Sequence, residues 1–170
     1  LLLSGNNTGS GATTLEAGTI QLAGGNGIGN NSAVTLGTGT TLNLNGTSET
    51  IGSIAGTGTV TMGVGTLTTG GNDTSTTYAG VISGSGGVIK TGSGTLTLSG
   101  SNTYSGATNI AAGVIAAANM ASLGSVASGT TVANGATLQI DNVALNAESI
   151  TLSGRGIGDA GALTGSGSAS

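Results

Sequence analysis

Residues 1–20 align without a gap on residues 96–115, and 13 of the 20 pairs are identical. The shared frame reads Leu-x-Leu-Ser-Gly-x-Asn-Thr-x-Ser-Gly-Ala-Thr. The match resumes at Ile28-Gly29 on Leu123-Gly124. With one inserted residue it returns at Gly39-Thr40-Thr41-Leu42 on Gly135-Ala136-Thr137-Leu138. The chain therefore reads as one segment, 1–170, with repeat copies at roughly 1–95 and 96–170. A duplicated unit of this length constrains the fold strongly, because the structure that closes on one copy must accept the other stacked against it.

A shorter beat runs inside the unit. Gly80-Val81-Ile82, Gly87-Val88-Ile89 and Gly94-Thr95-Leu96 step by seven residues, as do Gly58-Thr59-Val60 and Gly65-Thr66-Leu67. Seven residues accommodate a short strand and a tight corner, so three such sides close a coil of about 21 residues. The pulses alternate as strands do, in Thr41-Leu42-Asn43-Leu44, Thr59-Val60-Thr61-Met62, Thr95-Leu96-Thr97-Leu98 and Thr137-Leu138-Gln139-Ile140. One face is aliphatic and the other hydroxyl or amide. Composition agrees with this reading, since Gly, Thr and Ser make up half of the chain. Glycine suits corners and β-branched residues suit pleats. The fold class predicted is all-β, a single-stranded parallel β-helix (β-solenoid) of about eight coils. Two alternatives compete locally. Asn26-Gly27, Asn45-Gly46 and Asn134-Gly135 could each seed a two-residue hairpin, and the alanine-rich segment from Ala111 to Leu123 could form a short helical turn.

Several function classes are excluded by what is missing. Pro, Cys, His, Trp and Phe are absent, which removes disulfides, thiol or imidazole chemistry and Cys or His metal sites. Two cations, Lys90 and Arg155, stand against six anions, for a net charge of −4. No basic stripe exists for nucleic acid. The longest apolar run, Val114 to Ala118, is far shorter than the ~18 residues of a membrane helix. Leu1-Leu2-Leu3-Ser4-Gly5 has no basic region or small-residue cleavage site, so it reads as an internal cut and not as a signal peptide.

The stretch from Ile51 to Ile115 resembles a known family. It contains Ile51-Gly52-Ser53-Ile54, then Tyr78-Ala79-Gly80-Val81-Ile82-Ser83-Gly84, then Lys90-x-Gly92-x-Gly94-Thr95-Leu96-Thr97-Leu98-Ser99-Gly100-x-Asn102-Thr103-Tyr104. These pieces are similar to the passenger-associated strand repeat of bacterial autotransporters, the type V secreted proteins, and Leu1 to Ile20 matches the tail of a preceding copy. The resemblance implies a right-handed parallel β-helix displayed outside a Gram-negative cell, in a parent attached to an outer-membrane translocator barrel. One departure is that Gly9 stands where Tyr104 stands in the second copy.

No residue is assigned a catalytic, cofactor-binding or metal-binding role. Gly25-x-Gly27-x-Gly29 is not followed by Gly-Lys-Ser/Thr, so a phosphate loop is not supported. The same segment has Gly29 where a calcium-binding nonapeptide needs Asp. An acid pair for glycan cleavage could come from Asp141 and Glu148, or from Asp159 beside Arg155, but these acids read as solvated corners. Tyr78 and Tyr104 read as packing or corner residues. Asn43, Asn72, Asn102 and Asn109 would form ladders if they fell on matching corners, and would otherwise cap isolated turns.

The functional expectation is a structural and adhesive stalk, extracellular or on the cell surface, without catalysis or cofactors. Its partner would be a host or neighbouring-cell surface, a matrix component, or another copy of itself. The alternatives are binding of ice or another ordered surface through Thr57-x-Thr59, Thr66-x-Thr68 and Thr95-x-Thr97, and a glycan-acting β-helix enzyme.

Overall fold

The computed structural model describes residues 1–166. The described residues form nineteen short strands and one 3-10 turn, Ile157–Asp159. Sheet A stacks β1 (Leu2–Leu3), β3 (Thr19–Leu22), β5 (Thr41–Asn43), β8 (Thr59–Thr61) and β11 (Ile82–Ser83). Sheet B stacks β2 (Thr13–Leu15), β4 (Ala33–Leu36), β7 (Ser53–Gly56), β10 (Thr76–Tyr78), β13 (Thr95–Leu98), β15 (Gly113–Ala117), β17 (Ala136–Asp141) and β19 (Leu163–Ser166). Sheet C stacks β6 (Glu49–Ile51), β9 (Leu67–Thr69), β12 (Val88–Lys90), β14 (Thr108–Ile110), β16 (Thr130–Val132) and β18 (Ile150–Leu152). Every strand pairing is parallel. The chain is a β-solenoid of about eight turns, one for each rung of sheet B.

The seven-residue beat is one side of the coil. Successive beats lead into β11 on sheet A, β12 on sheet C and β13 on sheet B, which together complete a turn. Coil length varies from 18 residues, Thr41 to Thr59, to 25, Leu138 to Leu163. The 95-residue repeat is not a whole number of turns. From β1 to β11 is four rungs of sheet A, and two further faces lead to β13, the counterpart of β1. Each motif of the first copy therefore recurs two faces further round the solenoid: β1 and β3 pair in sheet A, and their counterparts β13 and β15 pair in sheet B.

The two local alternatives resolve in favour of strands and corners. Asn45 and Gly46 both have positive φ, 52° and 78°, the backbone of a tight hairpin turn. Here that turn carries the chain from β5 on sheet A to β6 on sheet C. The alanine-rich segment contains β15, whose register is fixed on both sides by β13 and β17.

The core is a set of in-register columns. Ile20, Leu42, Val60 and Ile82 stack through sheet A, each at most 5% exposed. Strand alternation sends their neighbours outward. At the corners, glycines stack instead. A Cβ on Gly80 would lie 1.8 Å from Gly58 O, and one on Gly100 would lie 1.9 Å from Gly80 O. The three coils touch backbone to backbone there, so one column of corners uses glycine three times.

Leu42→Ala is expected to lower unfolding free energy by about 2–5 kcal/mol through lost contacts and a residual cavity, whereas the neighbouring outward Thr41→Ala stays within about 0.5 kcal/mol. Urea melts compare the two. At another corner, a Cβ on Gly86 would lie 1.6 Å from Gly65 O. Gly86→Ala is expected to destabilise by about 1–3 kcal/mol or more, because two rigid backbones must separate; a melting temperature equal to that of the parent chain would contradict the stacked-corner description.

Candidate functional site

The outward positions of sheet A form two parallel rows. Thr19, Thr41 and Thr59 are in register, and beside them run Gln21, Asn43, Thr61 and Ser83. Both rows are uncharged and can donate and accept hydrogen bonds. Sheet C offers one outward row, Thr50, Thr68, Ile89, Asn109, Thr131 and Thr151, interrupted by an aliphatic side chain. Sheet B is likewise mixed, with Ala55 and Val114 among its outward threonines.

The Thr-x-Thr motifs singled out in the sequence do not build a common plane. Thr59 lies on β8 of sheet A, Thr68 on β9 of sheet C and Thr97 on β13 of sheet B. The acids are also dispersed in their bonding. Asp141 Oδ1 accepts from Ser166 Oγ at 2.6 Å, while Glu148 Oε1 accepts from Thr130 Oγ1 at 2.9 Å. Asp159 and Arg155 lie exposed about the 3-10 turn. No group of three or more His, Cys, Asp or Glu that could hold a metal occurs among the described residues.

The four asparagines do not stack on one another. Asn43 neighbours Gln21 and Thr61 and accepts from Asn45 N at 2.8 Å, a local turn bond. Asn109 sits between Ile89 and Thr131, and Asn72 donates to Ser53 Oγ at 3.0 Å. Asn102 is buried and joins three coils. Its Oδ1 accepts from Ile82 N at 2.9 Å, and its Nδ2 donates to Ser122 O at 2.6 Å. Its counterpart Asn7 makes the same downward bond, to Gly27 O at 2.6 Å.

Two buried charges escaped the sequence reading. Glu49, on the first rung of sheet C, points into the lumen and accepts from Gly27 N at 3.0 Å and Ile28 N at 2.8 Å. Burial raises its carboxyl above the usual value, and the backbone N–H bonds partly offset that. Lys90 is 1% exposed; its Nζ donates to the carbonyls of Thr91 at 2.5 Å, Gly92 at 3.0 Å and Ala112 at 3.4 Å. Desolvation lowers its ammonium below the ordinary value, opposed by the nearby Asp73 charge. Both would have been expected at the surface from residue type alone. For Lys90 the one sequence signal was its place two residues after Val88 in the seven-residue beat, which makes it an inward position if Val88 is one.

The tyrosines are internal, as their place in the repeat frame suggested. Tyr78 donates to Gly58 O at 2.6 Å, and Tyr104 shares a 2.6 Å bond with Thr108 Oγ1. Burial pushes both phenols well above the ordinary 10.0.

With that geometry in place, the family comparison becomes informative: residues 1–22 and 88–117 match the model of the Passenger-associated-transport-repeat. These two segments are similar to passenger-associated-transport repeats. The matched segments are the starts of the two copies, the second reaching back across the copy boundary to Val88; they include Asn7 with β1 to β3 and Asn102 with β12 to β15. The repeat agrees with the autotransporter resemblance, and its family implies a secreted or surface-exposed passenger attached to a translocator. No curated protein and no solved structure matches the chain. No helix among the described residues is long and apolar enough to cross a membrane.

The buried phenols set an alkaline limit. Because their folded values are raised above 10.0, their contribution is complete below that pH and is lost as pH rises, since the unfolded chain ionises first. Unfolding free energies measured by urea at about pH 9 and about pH 11 are expected to fall with pH. The Tyr78→Phe, Tyr104→Phe double variant should show a flatter dependence.

Proposed function

We propose that this chain is a structural and adhesive stalk segment of an autotransporter passenger on a Gram-negative cell surface, and that it performs no catalysis. The observation that carries the reading is the double outward row of sheet A, Thr19–Thr41–Thr59 beside Gln21–Asn43–Thr61–Ser83. A parallel solenoid holds these groups at the inter-strand spacing of about 4.8 Å, so a partner meets a regular grid of neutral hydrogen-bonding groups without having to order them first. The matching chemistry is an uncharged, hydroxyl-rich surface, such as polysaccharide or glycosylated matrix on a host or neighbouring cell. Individual contacts of this kind are weak, and repetition along the rod provides avidity.

What supports the absence of catalysis is the chemistry available. The chain contains no imidazole or thiol. The acids Asp141 and Glu148 accept from hydroxyls of different partners, Ser166 and Thr130, and do not share one proton or one ligand.

Beads coated with the chain are expected to adhere to polysaccharide-coated glass under flow. The Thr41→Lys, Thr59→Lys double variant should reduce adhesion by roughly tenfold or more, with circular dichroism unchanged. Thr68→Lys with Thr131→Lys on sheet C should have little effect. Equal losses from both pairs would remove the sheet A assignment, and turnover of a polysaccharide abolished by Asp141→Asn would overturn the non-catalytic reading.

A further inference from the structure

Asn-Gly occurs three times, at Asn26-Gly27, Asn45-Gly46 and Asn134-Gly135, and none of these pairs starts a hairpin. The pair has a chemistry of its own. The backbone nitrogen that follows an asparagine can attack the side-chain amide carbon and close a five-membered imide, and glycine, with no Cβ, hinders that approach least. The attacking form is the nitrogen without its proton. A hydrogen bond that holds this proton therefore slows the step, and an N–H left to solvent is not held back in this way. The reacting pair is the same at all three places, so the fold decides which one reacts.

Two of the pairs are locked. Gly27 is buried, and its N–H donates to Glu49 Oε2 at 3.0 Å. Taking the proton off this nitrogen would set a second negative charge against a carboxylate that is itself buried. The Gly46 N–H donates to Met62 O of the next coil at 3.2 Å. Its backbone also lies against Gly63, where an added Cβ would sit 3.0 Å from Gly46 N. The third pair is open. Asn134 and Gly135 are both exposed, in the turn between β16 and β17 that Ala136 N closes on Ala133 O at 3.0 Å. Gly135 N donates no hydrogen bond among the described residues, and a Cβ on Gly135 would meet nothing within 4 Å.

We propose that Asn134 is a site of spontaneous modification in the folded chain, deamidating through an imide formed with Gly135. The Gly135 nitrogen gives its proton to solvent base and bonds to Asn134 Cγ; the Cγ–Nδ2 bond breaks, and the side-chain nitrogen leaves as ammonia. Water then opens the ring at one of its two carbonyls. Opening at the backbone carbonyl leaves an isoaspartyl link, in which the main chain runs through the former side chain, and opening at the other leaves an ordinary aspartyl. Either product turns a neutral amide into a carboxylate at a corner where Asn134 lies against the next coil, so close that a Cβ on Gly154 would be 1.9 Å from Asn134 Oδ1. The site lies between sheets C and B and is independent of the adhesive reading of sheet A.

The test incubates the full chain in mildly alkaline buffer, with and without urea, and follows each Asn-Gly peptide by mass spectrometry; hydroxylamine, which cleaves the imide, gives a second readout. In buffer, conversion at Asn134 should run roughly tenfold or more ahead of Asn26 and Asn45, the equivalent of one hydrogen bond. In urea the three rates should come together. Asn134→Gln should abolish the fast conversion of the folded chain and leave circular dichroism unchanged. The proposal is overturned if Asn134 reacts no faster than the other two in the folded chain, if its lead persists undiminished in urea, or if the fast conversion survives Asn134→Gln.

Discussion

A stacked coil must pair its backbone with the coils above and below, because a peptide group turned toward a neighbouring coil and shielded from water is expensive when unpaired. Along the strands the parallel ladders meet this requirement. The difficulty arises where a face stops being a strand. Sheet A ends at β11 while sheet B continues for four more rungs, and sheet C begins only at β6. At both transitions a buried side chain supplies the missing partner. Asn102 Oδ1 accepts from Ile82 N on the last rung of sheet A. Glu49, on the first rung of sheet C, accepts from Gly27 and Ile28 in the irregular coil above it. Lys90 and Tyr78 do the converse, donating to corner carbonyls that ladder geometry leaves free.

This division explains how a chain so poor in large apolar residues holds a unique register. The aliphatic columns supply non-directional burial and tolerate exchange among Leu, Ile and Val. The polar anchors do not tolerate a slip, because moving one coil by a residue would turn an inward Glu49 or Lys90 outward and leave its backbone partners unpaired. Glycine columns add a third constraint. Coils touch at corners such as Gly58, Gly80 and Gly100, so those corners must superpose even where coil length varies. Variation from 18 to 25 residues is absorbed in the segments between corners and strands.

Period and alternation made the fold legible, since both are properties of successive residues. The seven-residue beat, the inward Leu and Val of Thr41-Leu42-Asn43 and Thr59-Val60-Thr61, and the parallel stacking follow from them. What lay beyond sequence was the angular position of each motif around the axis. A 95-residue repeat looks as though it should restore the same face. It advances instead by four and two-thirds coils, a consequence of coil lengths fixed by long-range pairing. For that reason Thr57-x-Thr59, Thr66-x-Thr68 and Thr95-x-Thr97 looked like one array and occupy three faces, while the continuous array on sheet A mixes Thr with Gln, Asn and Ser and carries no single motif. The asparagine ladders failed on the same ground: matching corners require known coil lengths, and Asn102 proved to span coils by bonding backbone, not its own kind.

The rotation of the repeat also bears on how the two copies could diverge. Copies on the same face would stack like on like, and a substitution in one would be felt by the other across a few rungs. Displaced by four coils and two faces, β1 to β3 and β13 to β15 share no strand pairing, so changes in one copy are energetically independent of the other. Anchors that satisfy the backbone remain common to both copies, as Asn7 and Asn102 do through equivalent 2.6 Å bonds. A side chain whose contribution is mainly volume is less constrained. Tyr104 in one copy and Gly9 in the other differ by a whole ring, and the corner closes where the ring is absent: a Cβ on Gly29 would lie 1.7 Å from Gly9 O, against 2.6 Å for the equivalent pair Gly124 and Tyr104 O.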